Sequence, residues 1–277
     1  MKIEQNTVKI GLDSPVRLLH VTDSHIDLVD ERDNERKRAL KLRMNRPNPL
    51  ADLKEHLAYA KENCDLMVHT GDLIDFVSVA NVEMAREVVS EDKVFYIAGN
   101  HDFSQYVGEA WEDDAYRMNS YMQMGGGFGV PMFFNSRTVG GVNIVGIDNS
   151  YYRFADWQLW RLKREAEKGM PIVLAFHTPL FEESLYERHR ELHPGECTYL
   201  AGCDEEHLLP YSEFRAVQQR PDEATLRMID YIKTEPLIKL ILSGHLHFSF
   251  VSQLTDSLTQ IVTGSGYEGI AREIILE

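Results

Sequence analysis

Five short motifs in the sequence combine side chains that bind metal ions or transfer protons. In chain order they are Asp23-Ser24-His25, Gly71-Asp72, Gly99-Asn100-His101-Asp102, His177 and Gly244-His245-Leu246-His247. Imidazole, carboxylate and amide groups suit Zn, Mn or Fe better than Ca or a metal that prefers thiolates. Each motif alone is a weak signal, because such short motifs also occur in ordinary turns. Together, in this order, they predict one metal centre.

Each of the five motifs follows a short apolar run of the length expected for a buried β-strand. The runs are Val16–Val21, Leu66–Val68, Val94–Ala98, Ile172–Phe176 and Leu237–Leu242. Ligands bind outside the carboxyl ends of the strands in open α/β sheets, so the motifs are expected to converge on one crevice. Residues two apart at a strand end point to the same side, which would let Asp23 and His25, or His245 and His247, reach one ion.

The remaining patterns favour an α/β fold with a single domain over residues 1–277. Helices are predicted over Asp52–Asn63, Val79–Val89 and Asp156–Lys168, between the apolar runs. A further strand is predicted over Val142–Ile147. Near the carboxyl end, a hairpin and a last strand predict a second, partly antiparallel sheet built from Phe248–Leu254, Leu258–Thr263 and Ala271–Leu276.

Three segments interrupt this pattern and are predicted to be loops: residues 27–48, Gly125–Gly129 and residues 181–221. The first and the last are predicted to form lids over the site. The basic run Arg32–Arg46 fits a solvated helix face, with steering of phosphate as the alternative. The later segment carries four potential zinc ligands whose spacing matches no common structural site: His193, Cys197, Cys203 and His207. Its aromatic side chains are expected to pack on the domain or stack on a substrate: Tyr186, Tyr199, Tyr211 and Phe214.

Composition excludes several classes of protein. The 277 residues include 29 Lys and Arg against 44 Asp and Glu, a formal charge of −15, so general binding of nucleic acid is not expected. Three cysteines are too few for a disulfide framework and suit a reducing compartment. The sequence shows neither a secretory signal nor a long apolar stretch, which predicts a cytoplasmic protein that does not interact with membranes.

The five motifs together resemble the calcineurin-like metallophosphoesterases, whose pattern is D-x-H, GD, GNH[D/E], H and GHxH. All five blocks are present in order between Asp23 and His247. The resemblance implies an α/β fold of the α+β type, a four-layer sandwich of two mixed β-sheets packed face to face with helices on both outer sides. It also implies two divalent or mixed-valence metal ions, Mn, Fe or Zn.

Carried over residue by residue, the resemblance implies a role for each matched position. Asp72 would bridge both ions, His101 would act on the substrate phosphate and leaving group, and Asp102 would orient His101. The ligands of the first ion would be Asp23, His25 and His247, and those of the second Asn100, His177 and His245. The unmatched histidines are expected to lie on the surface or in the packed interior: His20, His56, His69, His189, His193 and His207.

The reaction expected of such a centre can also be derived from the general chemistry of two metal ions. Two ions lower the pKa of a shared water and hold phosphoryl oxygens, so a bridging hydroxide can attack in line and no protein nucleophile is needed. His101 would act as general acid, a role typically worth about 10² to 10⁴ in rate.

Two departures from related patterns narrow the substrate class. Protein Ser/Thr phosphatases usually continue the second block as GDxVDRG, whereas no arginine follows Asp75 here. Purple acid phosphatases place a tyrosine three residues after the bridging aspartate, where Asp75 stands. The sequence resembles the bacterial phosphodiesterase branch more closely and predicts a phosphodiesterase of a small phosphoester or nucleotide. The alternatives are a phosphomonoesterase, a phosphoprotein Ser/Thr phosphatase and a non-catalytic metal-binding scaffold.

Overall fold

The structure, a computed structural model, describes residues 1–44, 46–107 and 112–277. Position 45, within the predicted 27–48 lid, lies outside the described residues. The strands of the described part are β1 (Lys2–Val8), β2 (Val16–Val21), β3 (Leu66–His69), β4 (Val94–Tyr96), β5 (Phe134–Val139), β6 (Val142–Ile147), β7 (Ile172–Ala175), β8 (Ile238–Ser243), β9 (Phe250–Thr255), β10 (Leu258–Val262) and β11 (Ile270–Leu276).

Helices connect or flank most of these strands. They are α1 (Glu35–Lys41), α2 (Pro49–Asn63), α3 (Val79–Val89), α4 (Asp114–Gln123), α5 (Asp156–Ala166), α6 (Glu183–Leu192), α7 (Glu205–Leu208), α8 (Glu213–Gln219) and α9 (Glu223–Thr234). Short 3₁₀ turns lie at His101–Phe103 and Gly266–Glu268. The three predicted helices are present, with boundaries that differ by at most three residues.

The strands form two mixed sheets. The first has the order β1-β11-β2-β3-β4, in which β2, β3 and β4 are parallel and β11 is antiparallel to β2. The second has the order β5-β6-β7-β8-β10-β9, parallel from β6 to β10 with antiparallel strands at both edges. Parallel pairing places the carboxyl ends of β2, β3 and β4 at one edge of the first sheet, and those of β7 and β8 at one edge of the second.

The two sheets pack face to face and carry helices on their outer sides, as the predicted fold class requires. Leu18 and Val68 of the first sheet join Val173 and Leu240 of the second in one buried cluster. Successive side chains of a strand point to opposite faces, so Leu19, next to Leu18, packs outward against α2. On the other outer side, α5 and α9 pack on the second sheet through Leu159, Leu162, Met228 and Ile232.

One prediction about the carboxyl end is wrong. The hairpin is present, since β9 and β10 are antiparallel neighbours, and both lie in the second sheet. The last strand, β11, does not extend that sheet: it crosses to the first sheet and lies between β1 and β2. Its pairing with β1 could not be expected from the sequence analysis, because β1 alternates between half-buried and exposed positions and was not identified as a strand.

The two long segments predicted to be loops contain helices. Residues 27–48 include α1, and residues 181–221 include α6, α7 and α8. Helix α6 buries Leu185 and Tyr186 against Leu246, which follows β8. These two residues, the third and fourth of α6, are an apolar signal for a packed helix, and the prediction of a loop did not take them into account. Within the described ranges no helix is both long and apolar enough to cross a lipid bilayer.

Candidate metal centre

Five strands from both sheets end beside one another, and the side chains that follow them meet. Asp23 Oδ1 lies 3.2 Å from His247 Nε2 and 3.6 Å from His25 Nε2. Asp72 Oδ2 lies 3.3 Å from His177 Nε2 and 3.6 Å from His25 Nε2. Residues separated by up to 224 positions in the chain therefore share one cluster.

The cluster contains three overlapping groups, in each of which the donor atoms lie within 4.8 Å of one another. The groups are Asp23, His25 and His247; Asp72, His177 and His245; and His25, Asp72 and His101, which shares a residue with each of the others. Because Asp72 Oδ2 is also close to His25 Nε2, Asp72 lies between the groups. Every group of at least three His, Cys, Asp or Glu found in the described residues that could hold a metal ion belongs to this cluster. The alternative zinc site in residues 181–221 is therefore not supported.

Hydrogen bonds behind the cluster fix which nitrogen of each ring carries a proton. His25 Nδ1 lies 2.7 Å from Asp75 Oδ1, and His177 Nδ1 lies 2.8 Å from the carbonyl oxygen of Thr70. Both partners only accept, so each Nδ1 donates and the neutral ring presents a lone pair at Nε2. Those two Nε2 atoms face Asp72 Oδ2, which also carries lone pairs. Such convergence of electron-pair donors needs positive charge between them.

Three polar atoms at the cluster are buried and have no hydrogen-bond partner: Asp23 Oδ1, Asn100 Oδ1 and His245 Nε2. Buried polar atoms normally have hydrogen-bond partners, and atoms that bind a metal ion are an exception. All three are atom types that ligate Zn, Mn or Fe. The residues present thus fit a pair of bound cations.

The electrostatics of the protein alone favour positive charge here. Burial lowers the pKa of His177, but the carboxylates of Asp72 and Asp23 outweigh it and raise the pKa to about 9. The pKa of Asp72 is lowered, because burial, which raises it, is outweighed by the nearby histidines His177 and His101. Metal ions would replace those protons, since ligating imidazoles must be neutral.

The backbone at the cluster adopts an uncommon conformation. Five candidate ligands have positive φ: Asp23 (51°), His25 (44°), Asp72 (53°), His245 (69°) and His247 (58°). Such residues cost free energy and concentrate at functional sites. The sequence analysis attributed the proximity of side chains two residues apart to the pleat of a β-strand, and this explanation is wrong. Asp23 and His25 do share a group, but left-handed turns beyond β2 bring them together.

Glycines permit these turns to approach one another. Gly71 has φ +95°, and a Cβ atom there would lie 2.2 Å from the backbone nitrogen of Gly99. A Cβ on Gly244 would lie 1.9 Å from Thr22 Oγ1. The expectation that a side chain would obstruct these positions agrees with the structure.

The expected partnership between Asp102 and His101 is wrong. Both carboxylate oxygens of buried Asp102 accept backbone N–H groups: Oδ2 from Asp72 and Gly99 at 2.8 Å each, and Oδ1 from Ile74 at 3.0 Å. Asp102 therefore ties the second and third motifs together. Burial and the nearby Asp72 carboxylate raise the pKa of Asp102 to about 6.

Asp75, rather than Asp102, contacts the His101 ring. His101 Nδ1 lies 2.9 Å from the Asp75 carbonyl oxygen and 3.2 Å from its Oδ1. The same Oδ1 accepts from His25, and Oδ2 forms a 2.8 Å ion pair with Arg46. The sequence signal for this contact was the second aspartate of Gly71-Asp72-Leu73-Ile74-Asp75.

His101 stands at the open side of the cluster, with its side chain 23% exposed. Burial lowers its pKa, but the carboxylates of Asp72 and Asp75 outweigh that effect and raise it to about 10. The backbone N–H of His101 donates to Asp72 Oδ1 at 2.8 Å, which fixes the position of the residue against the cluster. A protonated imidazole at this place can give a proton to a departing oxygen.

Aromatic and basic residues surround the cluster on two sides. Tyr267 lies edge-on to His247, with ring centroids 5.5 Å apart, and the Arg46 guanidinium carbon is 5.0 Å from the Tyr267 ring centroid. On the other side, Tyr199 lies 5.7 Å from His245, and the Arg215 guanidinium carbon is 5.6 Å from the Tyr199 ring centroid. Arg46 and Tyr199 come from the two segments predicted as lids. Their specific placement had no signal in the sequence.

Three histidines outside the motifs are buried and belong to none of these groups. His20 bonds Thr70 and Thr263 through its two ring nitrogens at 2.9 and 2.7 Å, and burial lowers its pKa to about 3. His69 and His56 are also buried, and burial lowers their pKa values to about 3 and about 4. These are neutral interior residues, unlike the histidines of the cluster.

Comparisons with known proteins agree with this architecture. The sequence profile described as calcineurin-like phosphoesterase matches residues 16–249. No curated protein is significantly similar in sequence.

Three solved structures illustrate the likeness in fold. A candidate 5'-nucleotidase of Staphylococcus aureus is 13% identical over 91% of this chain and 49% of its own, with a TM-score of 0.49. This chain thus spans about half the length of that protein. A dimetal phosphatase of Danio rerio is 13% identical over 91% of this chain and 88% of its own, with a TM-score of 0.47. The calcineurin-like phosphoesterase YfkN of Bacillus subtilis is 14% identical (91% and 82%, TM-score 0.45). These likenesses carry no argument about substrate.

Proposed function

The chain belongs to the calcineurin-like phosphoesterase family, whose profile covers residues 16–249, and we propose that it is a dinuclear metal-dependent phosphodiesterase of small phosphoesters. The observation that carries the proposal is the convergence of lone pairs at the cluster. His25 Nε2 and His177 Nε2 face the Asp72 carboxylate, while their Nδ1 atoms are held by acceptors behind them. This pattern is what a pair of cations requires.

The proposal assigns the candidate ligands as the sequence predicted. The first ion would be held by Asp23, His25 and His247, and the second by Asn100, His177 and His245, with Asp72 contributing to both. Bound ions of this kind polarise phosphoryl oxygens and lower the pKa of water. The metals Mn, Fe and Zn all accept this donor set.

His101 is proposed to protonate the leaving oxygen of the substrate. Asp75 holds its Nδ1, which leaves Nε2 as the atom that donates the proton, and the side chain reaches solvent at the open side of the cluster. Asp102 supports the site indirectly, by holding the backbone of Asp72 and Gly99. It is not proposed to contact the substrate.

A diester is preferred because of the charge around the site. Glu112 Oε1 lies 3.3 Å from Asn100 Nδ2, so a carboxylate stands beside one proposed ligand. A phosphomonoester dianion would be repelled by this group more than a diester monoanion would. Tyr199 and Tyr267 supply aromatic surface that suits the organic substituents of a diester.

One observation favours the phosphomonoesterase alternative. Arg46 forms an ion pair with Asp75, so a guanidinium stands next to the residue after which Ser/Thr phosphatases carry an arginine. If Arg46 turned from Asp75 to the substrate, it would favour a dianionic phosphate. The relative rates on monoester and diester substrates decide between the two.

The proposal is tested with purified protein and added Mn²⁺, on p-nitrophenyl and alkyl phosphodiesters and on p-nitrophenyl phosphate. Asp72→Asn and His101→Ala should each reduce turnover of the alkyl diester about 10²- to 10⁴-fold. For His101→Ala, the loss should be smaller with p-nitrophenyl esters, because p-nitrophenolate leaves without needing a proton. His193→Ala, a half-buried histidine outside the cluster, is the matched control and should retain wild-type rates.

Melting curves check that each variant is folded. Wild-type turnover of the alkyl diester by either cluster variant would contradict the proposed mechanism. A protein that binds Mn²⁺ but hydrolyses no phosphoester would instead support the non-catalytic scaffold.

A further inference from the structure

Glu112 is a carboxylate next to the candidate centre that none of the five motifs contains. It precedes α4, and its side chain is only 14% exposed. Its Oε1 accepts from Asn100 Nδ2 at 3.3 Å, and its Oε2 accepts from Gln218 Nε2 on α8. Arg215 Nη1 lies 3.8 Å from the same Oε2. Each carboxylate oxygen therefore has a partner, and Tyr152 also forms a hydrogen bond with this carboxylate.

The contact with Glu112 determines which way the side-chain amide of Asn100 faces. A side-chain amide has one oxygen that can ligate a metal and one NH₂ group that cannot. An ionised carboxylate only accepts hydrogen bonds, so it holds the NH₂ group of Asn100 toward itself. The Asn100 Oδ1 atom is then turned the other way, and it is buried without a hydrogen-bond partner.

We propose that Glu112 is a positioning residue, which fixes the Asn100 amide so that Oδ1 rather than Nδ2 is presented to the second ion. The inference rests on the proposed function, because it concerns a ligand of that same centre. A flipped amide would place Oδ1 against the Glu112 carboxylate, where two acceptors repel, and would offer a non-ligating NH₂ group to the ion.

Glu112 also links residues 181–221 to the centre. Gln218 and Arg215 are both on α8, and both approach the oxygen of Glu112 that Asn100 does not use. A displacement of α8 would remove Gln218 and Arg215 from Oε2 and so weaken the hold on the carboxylate. The position of α8 would therefore affect the binding of the second ion through the side chain of Glu112.

The burial of Glu112 argues for a role beyond packing. A buried carboxylate costs free energy unless it is paired and hydrogen-bonded. An apolar side chain at this position would avoid that cost, but it could not accept from the Asn100 amide or contact Gln218 and Arg215 on α8.

Two conservative variants separate the positioning role from charge. Glu112→Gln keeps the length and an acceptor oxygen but removes the charge, whereas Glu112→Asp keeps the charge but withdraws the carboxylate by one methylene. Calorimetric titration with Mn²⁺ should show two ions in the wild-type protein and in Glu112→Gln, with affinities within about threefold. Glu112→Asp should bind the weaker ion about 10- to 100-fold less tightly, the usual effect of losing a partner of a metal ligand.

Two further proteins complete the test. Glu187→Ala removes an exposed carboxylate from α6 and should leave both affinities unchanged. In a double-mutant cycle, Glu112→Asp should add nothing to the loss caused by Asn100→Ala, because both changes remove the same Oδ1 ligand.

The possible outcomes are distinct. Equal Mn²⁺ affinities in wild type and Glu112→Asp would overturn the inference, as would a Glu112→Gln variant as weak as Glu112→Asp, or additive losses in the cycle. Those results leave the proposed function intact, because the wild-type protein would still take up two ions. A wild-type protein that takes up no Mn²⁺ would overturn the proposed function and this inference with it.

Discussion

The candidate centre and the segment of residues 181–221 lie side by side but are built in opposite ways. At the centre, five candidate ligands have a left-handed backbone, and the side chains of Asp23, His25 and Asp72 are almost completely buried. The neighbouring segment forms short helices with ordinary side-chain caps at Glu182, Asp204 and Ser212. It exposes large apolar side chains, including Leu209 and Val217.

This difference separates conformations that the whole fold imposes from conformations that the local sequence favours. A left-handed aspartate or histidine is unfavourable by itself and persists only where surrounding structure holds it. Capped amphipathic helices need only a surface on which to pack. We therefore expect changes at the centre to affect folding and reaction together, and changes in the segment to affect mainly substrate binding.

The largest expected contrast comes from one substitution made in both regions. Gly71→Ala places a Cβ atom 2.2 Å from the Gly99 nitrogen at a residue with φ +95°, so both turns of the centre must move. Gly195→Ala has a similar φ of +86° but no atom within 4 Å of the new Cβ. The expected losses in free energy of unfolding are about 2 to 5 kcal/mol for Gly71→Ala and about 1 to 2 kcal/mol for Gly195→Ala.

Urea denaturation measures both values in metal-free protein. Gly71→Ala should also lower Mn²⁺ uptake, whereas Gly195→Ala should not. If the two substitutions cost the same, the close approach of the two turns is not what holds the centre together, and the contrast between the regions is lost.

The next contrast lies within the centre itself, between Asp75 and Asp102. Asp75→Asn removes a charge that raises the pKa of His101, so that pKa should fall. A general acid must be protonated to act, and activity declines as the pH rises through its pKa. The alkaline limb of the kcat profile should therefore shift to lower pH, with a loss of about 10- to 100-fold in kcat above the new pKa.

Asp102→Asn should behave differently. Its new NH₂ group would face backbone N–H donors that the carboxylate now accepts, which should cost about 1 to 3 kcal/mol of stability. The alkaline limb should stay where it is in the wild type. A shift of the limb in Asp102→Asn but not in Asp75→Asn would restore the role that the sequence first suggested for Asp102.

The two regions also differ in how far the sequence could predict them. The ends of β2, β3, β4, β7 and β8 were located because each strand is a short, mostly apolar run that is followed by metal-ligating or acid–base residues. The mixed topology was only partly accessible. The pairing of β11 with β1 and β2 joins residues about 260 positions apart, and no local pattern reports such a partner.

Contacts around the centre were harder to predict than the candidate ligands. Asp75, Glu112 and Tyr199 are single residues whose importance depends on where a neighbouring element packs. Asp75 lies three residues after Asp72 of the second motif, so the sequence places it near the centre but does not link it to His101. Glu112 and Tyr199 stand in no motif, because a hydrogen bond to Asn100 or a ring contact with His245 imposes no periodicity on the chain.

The smallest expected effect concerns the boundary between the two regions. Tyr199 comes from residues 181–221, yet its φ is +52° and its ring lies 5.7 Å from that of His245, so it is the residue of the segment that most resembles the centre. If it contacts only the organic part of the substrate, Tyr199→Ala should raise KM about two- to tenfold and leave kcat within about twofold, because the contact of one aromatic ring is worth about 0.5 to 1.5 kcal/mol. Leu209→Ala, at a side chain 78% exposed on the same segment, should change neither constant. A fall in kcat as large as the rise in KM would mean that Tyr199 also holds His245 in place, and the boundary of the reaction centre would then have to be drawn to include this part of the segment.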